Sequence, residues 1–134
     1  MKKEEDLQKK IIEVQILESN LKVLQERATV ISQRLEELEK TRSSIEELKG
    51  TKPTKALIPL GSGNFIFGSI ESSEDVIVGI GSGVALKKNR EGAVEILDSR
   101  IKEIEDNLKE IASQSTIIAE QLEKIQEDVE ELQK

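Results

Sequence analysis

The chain has 134 residues, of which 36% are hydrophobic and 35% charged, with two Phe, no Tyr, Trp, His or Cys, and a formal net charge of -7. Without imidazole or thiol there is no His- or Cys-based zinc site, no imidazole acid/base catalysis and no disulfide, and so few large side chains exclude a thick globular core. The acidic balance argues against a nucleic-acid partner; no run of about 18 apolar residues exists for a membrane, and MKKEEDLQKK lacks the apolar core of a signal peptide, so a cytoplasmic location is expected.

Residues 1–49 contain no Gly or Pro, which predicts one uninterrupted helix. A heptad frame with a at Leu7, Val14, Leu21, Ala28, Leu35 and Arg42 puts d at Lys10, Leu17, Leu24, Ile31, Leu38 and Ile45. All but Lys10 and Arg42 are apolar, the pattern of a coiled-coil seam. Ile11, Ile12 and Ile16, and beyond them Val23 and Val30, fall outside that seam. Apolar residues there are read either as incidental exposure or a wider seam, or as a third surface able to take another chain's apolar segments.

Residues 50–92 hold all eight Gly and both Pro. Short apolar runs at 56–60, 64–70, 76–80 and 84–88 predict four strands, paired as two hairpins through Gly61-Ser62-Gly63 and Gly81-Ser82-Gly83. The second loop repeats the first after twenty residues, Leu60-Gly61-Ser62-Gly63 returning as Ile80-Gly81-Ser82-Gly83, which suggests a duplicated unit. Gly61, Gly63, Gly81 and Gly83 are read as turn residues. A phosphate-cradling loop would require G-x-x-x-x-G-K-[ST], or G-x-G-x-x-G opening a helix, and here a strand follows. At about 25 cal/mol per Å² of buried apolar area, so small a sheet falls short of its own ordering cost, and open edges attract strands. Ile58, Leu60, Phe65, Phe67, Val76, Val78, Ile80, Val84 and Leu86 are therefore the expected subunit-assembly residues.

Residues 93–134 again lack Gly and Pro. Here a falls on Val94, Ile101, Leu108, Ser115, Leu122 and Val129, and d on Leu97, Ile104, Ile111, Ile118, Ile125 and Leu132; Ser115 alone interrupts the seam, and Ile117 lies outside it. Helices of about 43 residues, ~65 Å each, match in length, and folding back puts residue 49 beside 91, Leu7 near Gln133, and the small residues Ala28, Ala112 and Ser115 in one layer. That agreement favours an intramolecular antiparallel hairpin over a parallel homodimer. The expected fold is mainly α, with an N-terminal coiled-coil helix (1–49), two β-hairpins for oligomerisation (50–92) and a C-terminal coiled-coil helix (93–134). Paired acids such as Glu36-Glu37, Glu46-Glu47 and Glu130-Glu131 lie off the seams and read as solvated helix faces, not as metal ligands or catalytic carboxylates. No catalytic residue, metal or cofactor is expected.

The run Ala56-Leu57-Ile58-Pro59-Leu60-Gly61-Ser62-Gly63-Asn64-Phe65, with Val76-Ile77-Val78-Gly79-Ile80-Gly81-Ser82-Gly83-Val84-Ala85-Leu86-Lys87-Lys88, resembles the linker of the α-class subunit of archaeal prefoldin, and both flanking helices fit that layout. Lys87-Lys88 departs from the more acidic or mixed pair expected there. The resemblance implies a hexamer of two α and four β-class subunits whose hairpins form a β-barrel body, and an ATP-independent chaperone. Such a chaperone holds unfolded client proteins at coiled-coil tips and passes them to a group II chaperonin. A holdase requires weak, forgiving apolar contacts repeated over several tips, and helix ends fray. On that basis Leu7, Ile11, Ile12 and Ile16, with Ile125, Val129 and Leu132 opposite, are the candidate client-binding residues. The alternative is a structural, homo-oligomeric or filament-forming prefoldin-like spacer. A hinge of an SMC-like ATPase would require nucleotide-binding heads.

Overall fold

The computed structural model describes residues 2–71 and 74–134. Helix α1 runs Lys2–Glu47; strands β1 (Thr54–Gly61), β2 (Asn64–Ile70), β3 (Asp75–Gly81) and β4 (Val84–Asn89) follow, and helix α2 runs Arg90–Gln133. The residues fall into two compact units. One comprises the chain up to Leu35 together with Glu103–Lys134; the other is Glu36–Lys102.

In α1 every half-buried or buried side chain stands at one of the twelve a and d positions from Leu7 to Ile45, and all other described residues of the helix are exposed. The same holds in α2 beyond Arg100, with Asp128 the one addition. A stripe repeating every 3.5 residues is what a two-helix seam can cover, because a wider face would need a third helix. Leu24, Leu97, Ile111 and Leu122 are the most deeply covered seam residues. Each unit carries one ion pair between α1 and α2, Lys10 with Asp128 in the first and Arg42 with Asp98 in the second.

Helix α1 stops where Gly50 adopts a left-handed φ of 73°, a backbone conformation that costs a side-chain-bearing residue about 1–2 kcal/mol. Helix α2 starts inside the glycine-containing segment, because Asn89 caps it: the Gly92 N–H donates to Asn89 Oδ1 at 2.7 Å, satisfying an otherwise orphaned amide of the first turn. The four strands form two separate two-stranded antiparallel sheets, β1–β2 and β3–β4. Their closures match. Pro59 pairs with Phe65 and Gly61 with Asn64, leaving Leu60 as a bulge; Gly79 pairs with Ala85 and Gly81 with Val84, leaving Ile80 as the same bulge. Both residues of each turn have positive φ, 51° at Ser62 and 79° at Gly63, 54° at Ser82 and 75° at Gly83, as a type I′ hairpin requires.

Adjacent residues of α1 give a direct test of the seam. Leu24→Ala should lower stability by about 2–3 kcal/mol, whereas exposed Val23→Ala should change it by less than about 0.5 kcal/mol. Urea unfolding followed by helical circular dichroism measures both.

Candidate interaction surfaces

Alternation along β1 and β2 sorts the first hairpin into two faces. Leu57 pairs with Phe67 and Pro59 with Phe65 on one face; Ala56 pairs with Gly68 and Ile58 with Ile66 on the other. The first face is open to solvent, with Phe67 86% exposed and Leu57 58%. On the second, the Ile58 side chain lies over Gly68 so closely that a Cβ there would collide with it. Among the described residues of β1 and β2 none is buried. Of the expected assembly residues, Ile58, Leu60, Phe65 and Phe67 therefore stand exposed, and so do Leu57 and Ile66, which have the opposite parity on their strands and so are not supplied by the alternation of Ile58 with Leu60 or of Phe65 with Phe67.

The second hairpin is held differently. Val78 is buried and Val76 half-buried, whereas Ile77 on the opposite face is exposed, beside an ion pair from Lys87 to Asp75 at 3.6 Å. Arg100 donates to the Gly79 carbonyl at 2.8 Å and the Arg90 N–H donates to the Glu74 carbonyl at 2.8 Å, so this hairpin lies against the start of α2. There a second stripe, Ala93, Ile96 and Arg100, is covered in addition to the seam, with Ala93 fully buried. Val78 thus contributes to packing inside its own unit. Ile80, Val84 and Leu86 remain exposed. The Ala93–Ile96 pair beside the seam was the available sequence signal for this contact.

In the coiled-coil unit, Leu7, Ile125, Val129 and Leu132 are half-buried seam residues, and Ile11, Ile12 and Ile16 are exposed. Two shallow grooves flank the seam. One brings Ile16 and Leu17 to Ile125, rimmed by Glu13, Gln121 and Lys124; the other brings Ile11 and Val14 to Val129, rimmed by Gln15, Gln126 and Glu130. The candidate residues therefore divide between two sides. Ile16, Val23 and Val30 recur at heptad position c and form one exposed row on α1. Ile117 holds position c of α2, and antiparallel pairing sets both helices' g and c positions on the same side.

Both cations in the α1 seam are answered from α2. Lys10 Nζ donates to Asp128 at 3.2 Å. The Arg42 guanidinium hydrogen-bonds Asp98, with Glu46 one turn on at 3.4 Å, and the bond to Asp98 raises the Arg42 pKa above its usual value. Among the described residues no three acidic side chains converge as a metal site, and no helix is long and apolar enough to cross a membrane.

Residues 17–134 match the family model described as prefoldin subunit. Similar proteins include the prefoldin subunit alpha of Methanobrevibacter smithii, 30% identical over 94 residues, 70% of this chain and 64% of that protein; the matched stretch thus spans slightly less than two thirds of that relative. The prefoldin subunit alpha of Archaeoglobus fulgidus is 33% identical over 107 residues, 79% of this chain and 78% of that protein. Among solved structures, a chain of the filamentous prefoldin of Methanocaldococcus jannaschii matches with a TM-score of 0.54 and 18% identity, over 89% of this chain and 93% of that one; at that identity the match concerns the fold.

Arg100→Ala should release the second hairpin from α2. Amide exchange should accelerate across residues 75–89 and stay unchanged across 54–70, as read by hydrogen-exchange mass spectrometry.

Proposed function

The chain belongs to the prefoldin family, and we propose that it acts as the α-class subunit of a heterohexamer, two α with four β-class subunits, that works as an ATP-independent holdase. The observation that carries this reading is the exposed apolar surface of the β segment, above all Leu57, Leu60, Phe65 and Phe67 on a hairpin with no buried residue of its own. Two-stranded sheets are marginal alone, and four open edges offer unpaired backbone groups, so strands from β-class subunits would complete a barrel. Toward the helix ends, Ile11, Ile12 and Ile16 stand exposed beside the grooves that reach Ile125 and Val129. They would hold unfolded clients by contacts too weak and too unspecific to select a sequence, with several tips acting together, before transfer to a group II chaperonin in the cytoplasm.

Phe65→Asp or Ile80→Asp should block assembly with a β-class subunit while the isolated chain stays helical; native mass spectrometry of the mixture reads this, and hexamers of normal mass would overturn the assembly reading. Deleting residues 1–16 and 125–134 should leave the hexamer intact and abolish suppression of client aggregation, and undiminished suppression would overturn the tip reading.

The open edges of both hairpins also support a second reading, a homo-oligomeric or filament-forming spacer. Sedimentation with and without a β-class partner separates the two, since a filament former assembles alone.

A further inference from the structure

Lys10 occupies a d position of the seam, with Leu7 and Val14 one turn to either side. A cation there loses hydration, which an acid must offset. The acid comes from the g row of α2, which borders the seam on that side and reads Arg100, Asn107, Gln114, Gln121, Asp128. Although the helix carries thirteen acidic residues, that row holds a single one, and it is the one that accepts from Lys10 Nζ, at 3.2 Å. Asp128 is also the only described residue of α2 beyond Arg100 that is partly covered without belonging to the seam. The side chains of the pair are 33% and 43% exposed, so it is held in place and still reached by salt.

We propose that Lys10–Asp128 is an electrostatic latch that limits the opening of this end of the helix pair, and so sets how much of the seam at Leu7, Val14, Ile125 and Val129 is offered to an apolar chain segment. The latch deepens the tip reading above and relies on it only for the identity of the ligand. A leucine in place of Lys10 would close the ends more firmly than the native pair does, because apolar contact replaces a half-hydrated charge. The position thus trades closure for an opening that responds to ionic strength.

The test is hydrogen exchange on the full chain, alongside suppression of aggregation of a chemically unfolded client. Asp128→Asn should speed amide exchange in residues 2–14 and 125–133 about threefold. Raising NaCl from about 0.05 to 0.5 M should do the same to the unmodified chain and leave the variant unmoved. Lys10→Leu should slow the same amides and remove the salt response. Lys10→Asp combined with Asp128→Lys should restore the original rates. Exchange in Asp128→Asn equal to that of the unmodified chain, or faster exchange in Lys10→Leu, overturns the latch. If exchange responds as expected while client suppression stays constant in every variant, the latch stands and the client-binding role of the ends falls.

Discussion

A seam only two positions wide per heptad governs this protein. Two helices facing each other can cover a and d residues and little else, so the remaining side chains of α1 stay in water. Each seam residue therefore has a large share in the stability of its helix pair, and each departure from an apolar residue must be met locally. Both departures in α1 are cationic, and both are met by an aspartate of α2. Ser115 meets the requirement differently, being small and uncharged in the layer expected to hold Ala28. With little core to draw on, the chain keeps charge out of its seam or neutralises it in place.

The two hairpins share bulge and turn geometry but not support. The second is bound to α2 through Arg100, the Arg90 amide and the buried Val78. The first has no buried residue and presents Leu57, Phe65 and Phe67 outward. The repeated Gly-Ser-Gly hairpin thus occurs in two settings: its later copy is packed by the chain itself, and its earlier copy keeps its apolar residues exposed. The difference arises in the sequence that follows each copy. Asn89 caps a helix directly after β4, whereas β2 leads through Glu71 into the second hairpin.

The helices, their seam and the hairpin closures were legible in the sequence because each rests on a local period or a local backbone requirement. Apolar residues every 3.5 positions identify the seam without reference to any partner, and Gly-Ser-Gly between apolar runs meets the positive φ of a tight hairpin. What was not legible depends on which distant residues meet. Asp128 looks like any other acid on an acidic helix until Lys10 is placed opposite it. Arg100, at a g position beside the seam, reaches a strand carbonyl that no local period points to. Val78 and Ile77 are neighbours of the same chemistry, and only the side of the sheet that meets α2 decides that one is buried and the other exposed. The candidate binding residues were named as one group by their nearness in sequence, whereas the grooves separate Ile11 from Ile16 by the sides of the seam.

The ion pairs also differ in how much chain they close. Arg42 and Asp98 are separated by 56 positions along the chain, Lys10 and Asp128 by 118. Since chain closure grows more costly with the logarithm of loop length, the longer link costs about 0.7 kcal/mol more when formed first. Once the hairpins have shortened the path between Glu47 and Arg90, the inner pair closes at small cost, and each further heptad then adds to a loop already closed. Loop-closure cost alone therefore favours pairing from the inner ion pair toward the outer one. On that ordering the heptads farthest along the chain from the hairpins join last, so the loop-length cost that favours the inner pair also makes the outer heptads the ones whose pairing rests most on what has already closed.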